Sequence, residues 1–598
     1  MAFIKRAFNG VKLLTSCTKL FILSLVFVFS LTGCRSSGKK TEQNTHSLVE
    51  KENTKAQFSA FTDSLFQSEI TTNTINLHYT VASPEALSIS DYAVTLGHCS
   101  ESNRIESLKK YQSYKDTLSK IKTDHLDKND RITYDILMWY FDNELSSRDY
   151  SYYNEMLSPT TGIQAQLPVL FAEYIFRSEK DIKDYISLIS QLDSLFSEII
   201  TYEKEKSAAG LFMADYAVDD IVEQCNAFIS NTDQHFLLTT FDSRIDNCSF
   251  LTDEQKASYK SIHKQALAEH VFPAYQNLVK ELTALKGTGR NQGGLCNFPK
   301  GKEYYSYLVK ASTGSDKAVP DLMKATSSQI QSDLNAMSTL LNNNPSLLEN
   351  LHDIKVEDLN PEQSLEKLKQ CITNNFPEVP NTSYEVKYVD KSLEEHLSPA
   401  FYLTPPLDNC NDNVIYVNQA SCPKGMQRFI TLAHEGYPGH LYQNLFSSSK
   451  DLNKVRSLFS FPGYTEGYAT YAEMFSYDYL GLEQPVADIL KLSSSVTLGI
   501  YATIDLGIHY EGWTITEVTS FLIKYGIQDT DTISTIYRSI VEDPANYLKY
   551  YVGYLEILKL KEEAEALKGN DFSLLEFHNS LLSIGEAPFT VVKKYLLQ

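Results

Sequence analysis

Thr431-Leu432-Ala433-His434-Glu435-Gly436-Tyr437-Pro438-Gly439-His440-Leu441-Tyr442-Gln443 closes one apolar helical pattern and opens another. His434 and His440 are six residues apart, about 240° around an ideal helix, so a regular helix would point them away from each other. Pro438 removes a backbone donor and clashes with the preceding turn, and Gly439 tolerates almost any backbone angle. The helix is therefore expected to break just before His440, which gives the chain a means to swing that ring back toward His434. A His-Glu pair with a second His after it is how metallopeptidases set a metal ligand beside a general base.

Downstream, Thr465-Glu466-Gly467-Tyr468-Ala469-Thr470-Tyr471-Ala472-Glu473 places two carboxylates seven residues apart, on one helical face. One could ligate a metal while the other orients a histidine through its second ring nitrogen. Two histidines, a carboxylate and an open position form a recurring catalytic zinc set.

Outward from this stretch the pattern stays helical. Ile182, Tyr185, Ile186, Ile189, Leu192, Phe196, Ile199 and Ile200 recur at three- and four-residue spacing, predicting one long amphipathic helix after Ser178. Similar periods run over 102–147, 254–286, 318–342, 361–375, 424–447, 464–480, 486–509, 514–525 and 546–567. Strand signals are confined to Tyr384–Val389 and Val414–Asn418. Gly287–Gly301 and the Pro-rich stretch Pro399–Asp412 read as loops. The expected fold is mostly α, with a small β element beside the cleft. Its halves are an N-terminal helical lobe over 56–290, without a chemical constellation, and a C-terminal lobe over 291–598 that carries one.

The N-terminus reads as an address. Lys5, Arg6, Lys12 and Lys19 precede the apolar run Leu20–Leu31, and Leu31-Thr32-Gly33-Cys34 follows. This resembles the lipobox of bacterial lipoproteins, which implies a signal peptide over 1–33, a lipid on Cys34 and a place at the cell envelope outside the cytoplasm. Residues 34–55, polar and nearly free of apolar side chains, read as a flexible tether. The 598-residue chain has 75 acidic and 54 basic residues and a net charge of -21, with no clustered Lys and Arg, which argues against nucleic acid as a partner. Nine cysteines include no C-x-x-C. Cys410 and Cys422 flank a β-branched run closely enough to suggest a disulfide across a short loop.

The His434–His440 and Glu466–Glu473 motifs together resemble the family catalogued as domain of unknown function 885, bacterial proteins grouped with the gluzincin metallopeptidases. The likeness extends through Leu77-His78-Tyr79, Gly301-Lys302-Glu303-Tyr304-Tyr305, Ile415–Asn418, Asp505-Leu506-Gly507-Ile508-His509 and Phe577–Leu582, and departs from the family at Tyr468 and Tyr551. It implies a two-lobed helical metallopeptidase-like fold and singles out Tyr550. A further resemblance, to the Glu-Gly motif of zinc aminopeptidases, favours Glu466 over Glu473 as third ligand. The expected enzyme is a zinc peptidase acting on small or unfolded peptides. Zn2+ would be held by His434, His440 and Glu466, with Glu473 behind a histidine, Glu435 as base, and Tyr550 or His509 donating to the oxyanion. The alternatives are a non-catalytic peptide-binding or structural lipoprotein with a vestigial site, and a metal-dependent amidase.

Overall fold

The computed structural model describes residues 39–598 except 353, 381, 390, 392, 393, 395 and 396. The expected signal peptide over 1–33 and Cys34 lie outside the described residues. Among the described residues the chain is mostly α-helical, with one three-stranded sheet in the order β1-β3-β2.

The expected tether is corrected over residues 39–55, which form the first half of a helix, α1 (Lys39–Ile70). Its second half buries Phe58, Leu65, Phe66 and Ile70. A helix nucleated by that packing propagates backwards through Lys, Glu and Gln, which favour it, with no Pro or Gly to stop it.

Two other spans divide where one helix was expected. The run after Ser178 is two helices, Glu179–Ile189 and Leu192–Ala208, and 102–147 is Glu101–Leu118 followed by Lys128–Ser146. In the second case Asp127 caps the new helix by accepting from the Asp130 N–H, a local bond that competes with helix continuation.

The cores do not divide the chain at residue 290. One apolar interior joins Phe58–Phe141 to the C-terminal half, and a second is built chiefly from residues 75–282. Tyr416 and Val389 bring the sheet region into that second interior. The sheet consists of β1 (Tyr384–Tyr388), β2 (Ala400–Leu403) and β3 (Asn413–Val417), with β1 parallel and β2 antiparallel to β3. β2 was expected as loop because prolines surround it. Cys410 and Cys422 are free thiols. The extended β3 lies between them at about 3.4 Å per residue, which carries the two ends apart.

The C-terminal half positions the site with α2 (Gly301–Thr313), α3 (Met426–Glu435), α4 (His440–Ser448), α5 (Pro462–Ser476), α6 (Gln484–Leu506) and α7 (Asn546–Lys568). α6 is long and apolar enough to cross a membrane, but most of it is buried within the protein as a core helix. α5 and α7 cross through glycine: a Cβ on Gly467 would lie 2.4 Å from the Gly553 carbonyl carbon, and one on Gly553 would lie 2.0 Å from the Gly463 oxygen. No other residue permits that approach. It sets Glu466, next to Gly467, against the α7 turn that carries Tyr550.

Candidate metal centre

α3 ends at Glu435 and α4 begins at His440, so the break falls where Pro438 and Gly439 predict it. The Gly439 N–H donates to Ala433 O at 2.9 Å, and a Cβ there would overlap His434 O at 1.8 Å. The folded-back turn brings the two imidazoles to a centroid separation of 4.9 Å, edge to face.

α5 supplies both carboxylates. Glu466 Oε2 lies 3.4 Å from His434 Nε2 and 3.3 Å from His440 Nε2. Glu473, two turns on, meets the other nitrogen, His434 Nδ1, at 3.3 Å. One ligand atom from each of His434, His440 and Glu466 falls within 4.8 Å of the others. Donors about 2.0–2.1 Å from a tetrahedral ion stand about 3.3–3.4 Å apart, so both histidine–carboxylate separations fit such a centre. Two imidazoles and one carboxylate suit first-row divalent ions, zinc and iron among them.

Glu435 sits beside this triad rather than in it. Its carboxylate accepts the Tyr402 N–H of β2 at 3.0 Å. Burial raises its pKa, partly offset by the charges of His434 and His440. Burial disfavours the charge on His434 as well, but hydrogen bonds to Glu466 and Glu473 outweigh it and raise that pKa well above the ordinary value. Burial would raise Glu466 too, yet the two histidines and the Lys549 charge hold its carboxyl well below the usual range.

Tyr550 is buried, its ring 6.3 Å from that of His434. Burial, with the charges of Glu466 and Glu435, pushes its pKa well above 10, so it is a neutral phenol with a proton to donate. His509 is not brought to this cluster. Its Nε2 donates to Ile540 O at 2.8 Å, its Nδ1 accepts the Leu295 N–H at 3.1 Å, and its ring stacks on Tyr305. Asp505, four residues earlier, turns to the Tyr305 hydroxyl and the Ala545 N–H instead. His578 is likewise held, by Asn375 O and the Tyr471 hydroxyl.

The sequence reading missed two contributors. The Tyr402 N–H, a main-chain donor, leaves no trace in residue identity. Lys549, buried directly before Tyr550, did leave one, since a lysine among Tyr547, Tyr550 and Tyr551 is out of place on a packed helix face.

The chain belongs to the DUF885 family, described as bacterial protein of unknown function, whose model matches residues 85–596. No curated protein matches it. Among solved structures it is similar to a protein of Colwellia psychrerythraea at 19% identity, over 91% of this chain and 98% of that one, with a TM-score of 0.80. It is also similar to a protein of Shewanella oneidensis at 17% identity, over 91% and 99%, with a TM-score of 0.63. Both are described by the words "putative lipoprotein", the second also as of unknown function. At these identities the likeness is one of fold.

Proposed function

We propose that this chain is a metal-dependent peptidase of the cell envelope, cleaving peptide bonds in small or unfolded peptides. The observation that carries this reading is the convergence of His434, His440 and Glu466 with a separate carboxylate, Glu435, at their side. When bound, a divalent ion such as zinc supplies Lewis acidity, polarising a carbonyl and bringing the pKa of a water to about 7. The chain's own groups divide the rest of the work. Glu473 holds the proton of His434 on Nδ1 and leaves Nε2 its lone pair. Glu435, fixed by the Tyr402 N–H, takes a proton from water and passes it to the departing amine. Tyr550 donates its phenolic proton to the oxygen on which charge develops.

The two-lobed metallopeptidase architecture and the lipid on Cys34 belong to the same reading, the latter supported by the description of both similar structures. The test is metal analysis of the purified chain, followed by mass spectrometry of a peptide library with and without chelator. About one zinc per chain and chelator-sensitive cleavage are expected, and His434→Ala should lose most of the metal. Full metal occupancy in that variant would sink the site as drawn.

A further inference from the structure

α4 has two unlike sides. Leu441, Leu445 and Phe446 turn into the apolar interior. At about 100° per residue, the opposite side carries His440, Gln443 and Asn444. That side borders the candidate centre. His440 Nε2 lies 3.3 Å from Glu466, and Asn444 Nδ2 donates at 2.9 Å to the hydroxyl of Tyr402, the residue whose N–H holds Glu435.

Gln443 stands one turn beyond His440, which sets their Cβ atoms about 5–6 Å apart. Helical side chains lean toward the N-terminus, so the Gln443 amide tips back over the His440 turn. Only 8% of the residue is exposed, and among the described residues its Nε2 is buried without a hydrogen-bond partner. Its neighbours at the site are engaged: Glu435 by the Tyr402 N–H, Glu473 by His434, and the Tyr402 hydroxyl by Asn413 and Asn444. A buried donor left unmet costs stability, and native folds keep few of them. Beside a reactive centre, a molecule that enters the site can meet it.

A side-chain amide offers a donor and an acceptor in one plane. In an extended peptide the N–H and C=O of one residue point to the same side, so the two groups pair with a single amide. A charged chain end would call for a charged partner instead. We propose that Gln443 binds the main chain of the substrate, Nε2 donating to the carbonyl and Oε1 accepting the N–H of one extended residue. The inference rests on the peptidase reading above. An offset of about 5–6 Å from His440 is worth one to two residues of extended peptide at about 3.3 Å each, so the residue held lies next to the pair whose bond is cut. Gln443 thus favours substrates longer than a dipeptide.

Peptide affinity tests this, measured by fluorescence anisotropy of a labelled tetrapeptide on the metal-loaded full chain carrying Glu435→Gln, so that binding is read without cleavage. Adding Gln443→Met or Gln443→Glu should each weaken binding by about 10-fold or more, and in the cleaving chain either change should raise KM by a similar factor with little effect on kcat. Methylating each peptide nitrogen in turn should reveal one position outside the cleaved pair where the methyl weakens binding to the Gln443 chain by about 10-fold, yet by less than about twofold once Gln443→Met is present. Because the donor has no partner in the free protein, Gln443→Met should leave the melting temperature unchanged or raise it. A structural amide would instead lower melting and leave the methylation profile as it was. Unchanged affinity in either folded variant, or an unchanged methylation profile, overturns the inference alone, whereas a parent chain that neither binds nor cleaves peptides overturns the peptidase reading with it. If neither variant folds, the amide is a requirement of the fold and the inference falls.

Discussion

The end of α3 and the end of α6 each bury a histidine, His434 and His509, and they put it to opposite uses. At the first, both ring nitrogens meet carboxylates from one face of α5. At the second, one nitrogen donates to a main-chain carbonyl and the other accepts a main-chain N–H. Carboxylates can exchange a proton for a metal ion and still be satisfied. Backbone partners cannot, so they fix one neutral tautomer. Burial alone does not separate the two histidines; the chemistry of the partner does.

The comparison sharpens if chemistry collapses at the first end while the fold survives. Glu435→Gln keeps the shape of the side chain and removes its proton acceptor. Zinc content and melting temperature should stay near those of the parent, while peptide cleavage falls by about 1,000-fold. An active Glu435→Gln protein would show that another group is the base and that the α3 end is no more catalytic than the α6 end.

Tyr550→Phe is the next largest effect. The phenol is neutral and close to His434, so deleting its hydroxyl should lower kcat by about 100-fold with little change in KM or zinc content, as for an interaction made mainly in the transition state. A variant in which only stability falls would place Tyr550 with His509, as packing.

The two ends were not equally legible in the sequence. The break before His440 could be read because Pro438 and Gly439 act locally. That Glu466 and Glu473 share a face could be read because a seven-residue spacing holds on any regular helix. The choice of Glu466 as the carboxylate between both rings came from the resemblance to a Glu-Gly motif alone. In the sequence His509 is one of two candidate oxyanion donors, and its i, i+4 spacing to Asp505 also suits an ordinary pair; the fold gives both its nitrogens main-chain partners. The buried Asp505 instead binds Tyr305 and Ala545, 200 and 40 residues away. Likewise the helix over 39–55 depends on packing of Phe58–Ile70, and strand β2 on pairing with β3. Long-range partners decide these elements, and periodicity cannot report them.

The smallest effect tests the α6 end directly. Burial pushes the His509 pKa down from 6.5 to about 4, with the hydrogen bond to Ile540 O opposing it. Between those values the unfolded chain carries the proton and the folded chain does not, so the unfolded state binds more protons and stability rises with pH. The contribution is complete above about pH 6.5 and is lost as pH falls toward 4, at no more than about 1.4 kcal/mol per pH unit. His509→Gln cannot take up that proton. In urea unfolding with chelator present it should be less stable than the parent by about 1–2 kcal/mol at pH 7, with peptide cleavage by the metal-loaded folded protein unchanged. At pH 5 the gap should narrow by about 1–2 kcal/mol, because only the parent bears the cost of releasing the proton on folding. The other buried histidines whose pKa burial lowers, His78, His235, His263 and His578, titrate alike in both proteins and cancel in the difference. A gap that stays constant from pH 7 to 5 would mean that His509 folds with its proton. A loss of cleavage at pH 7 would return it to the site.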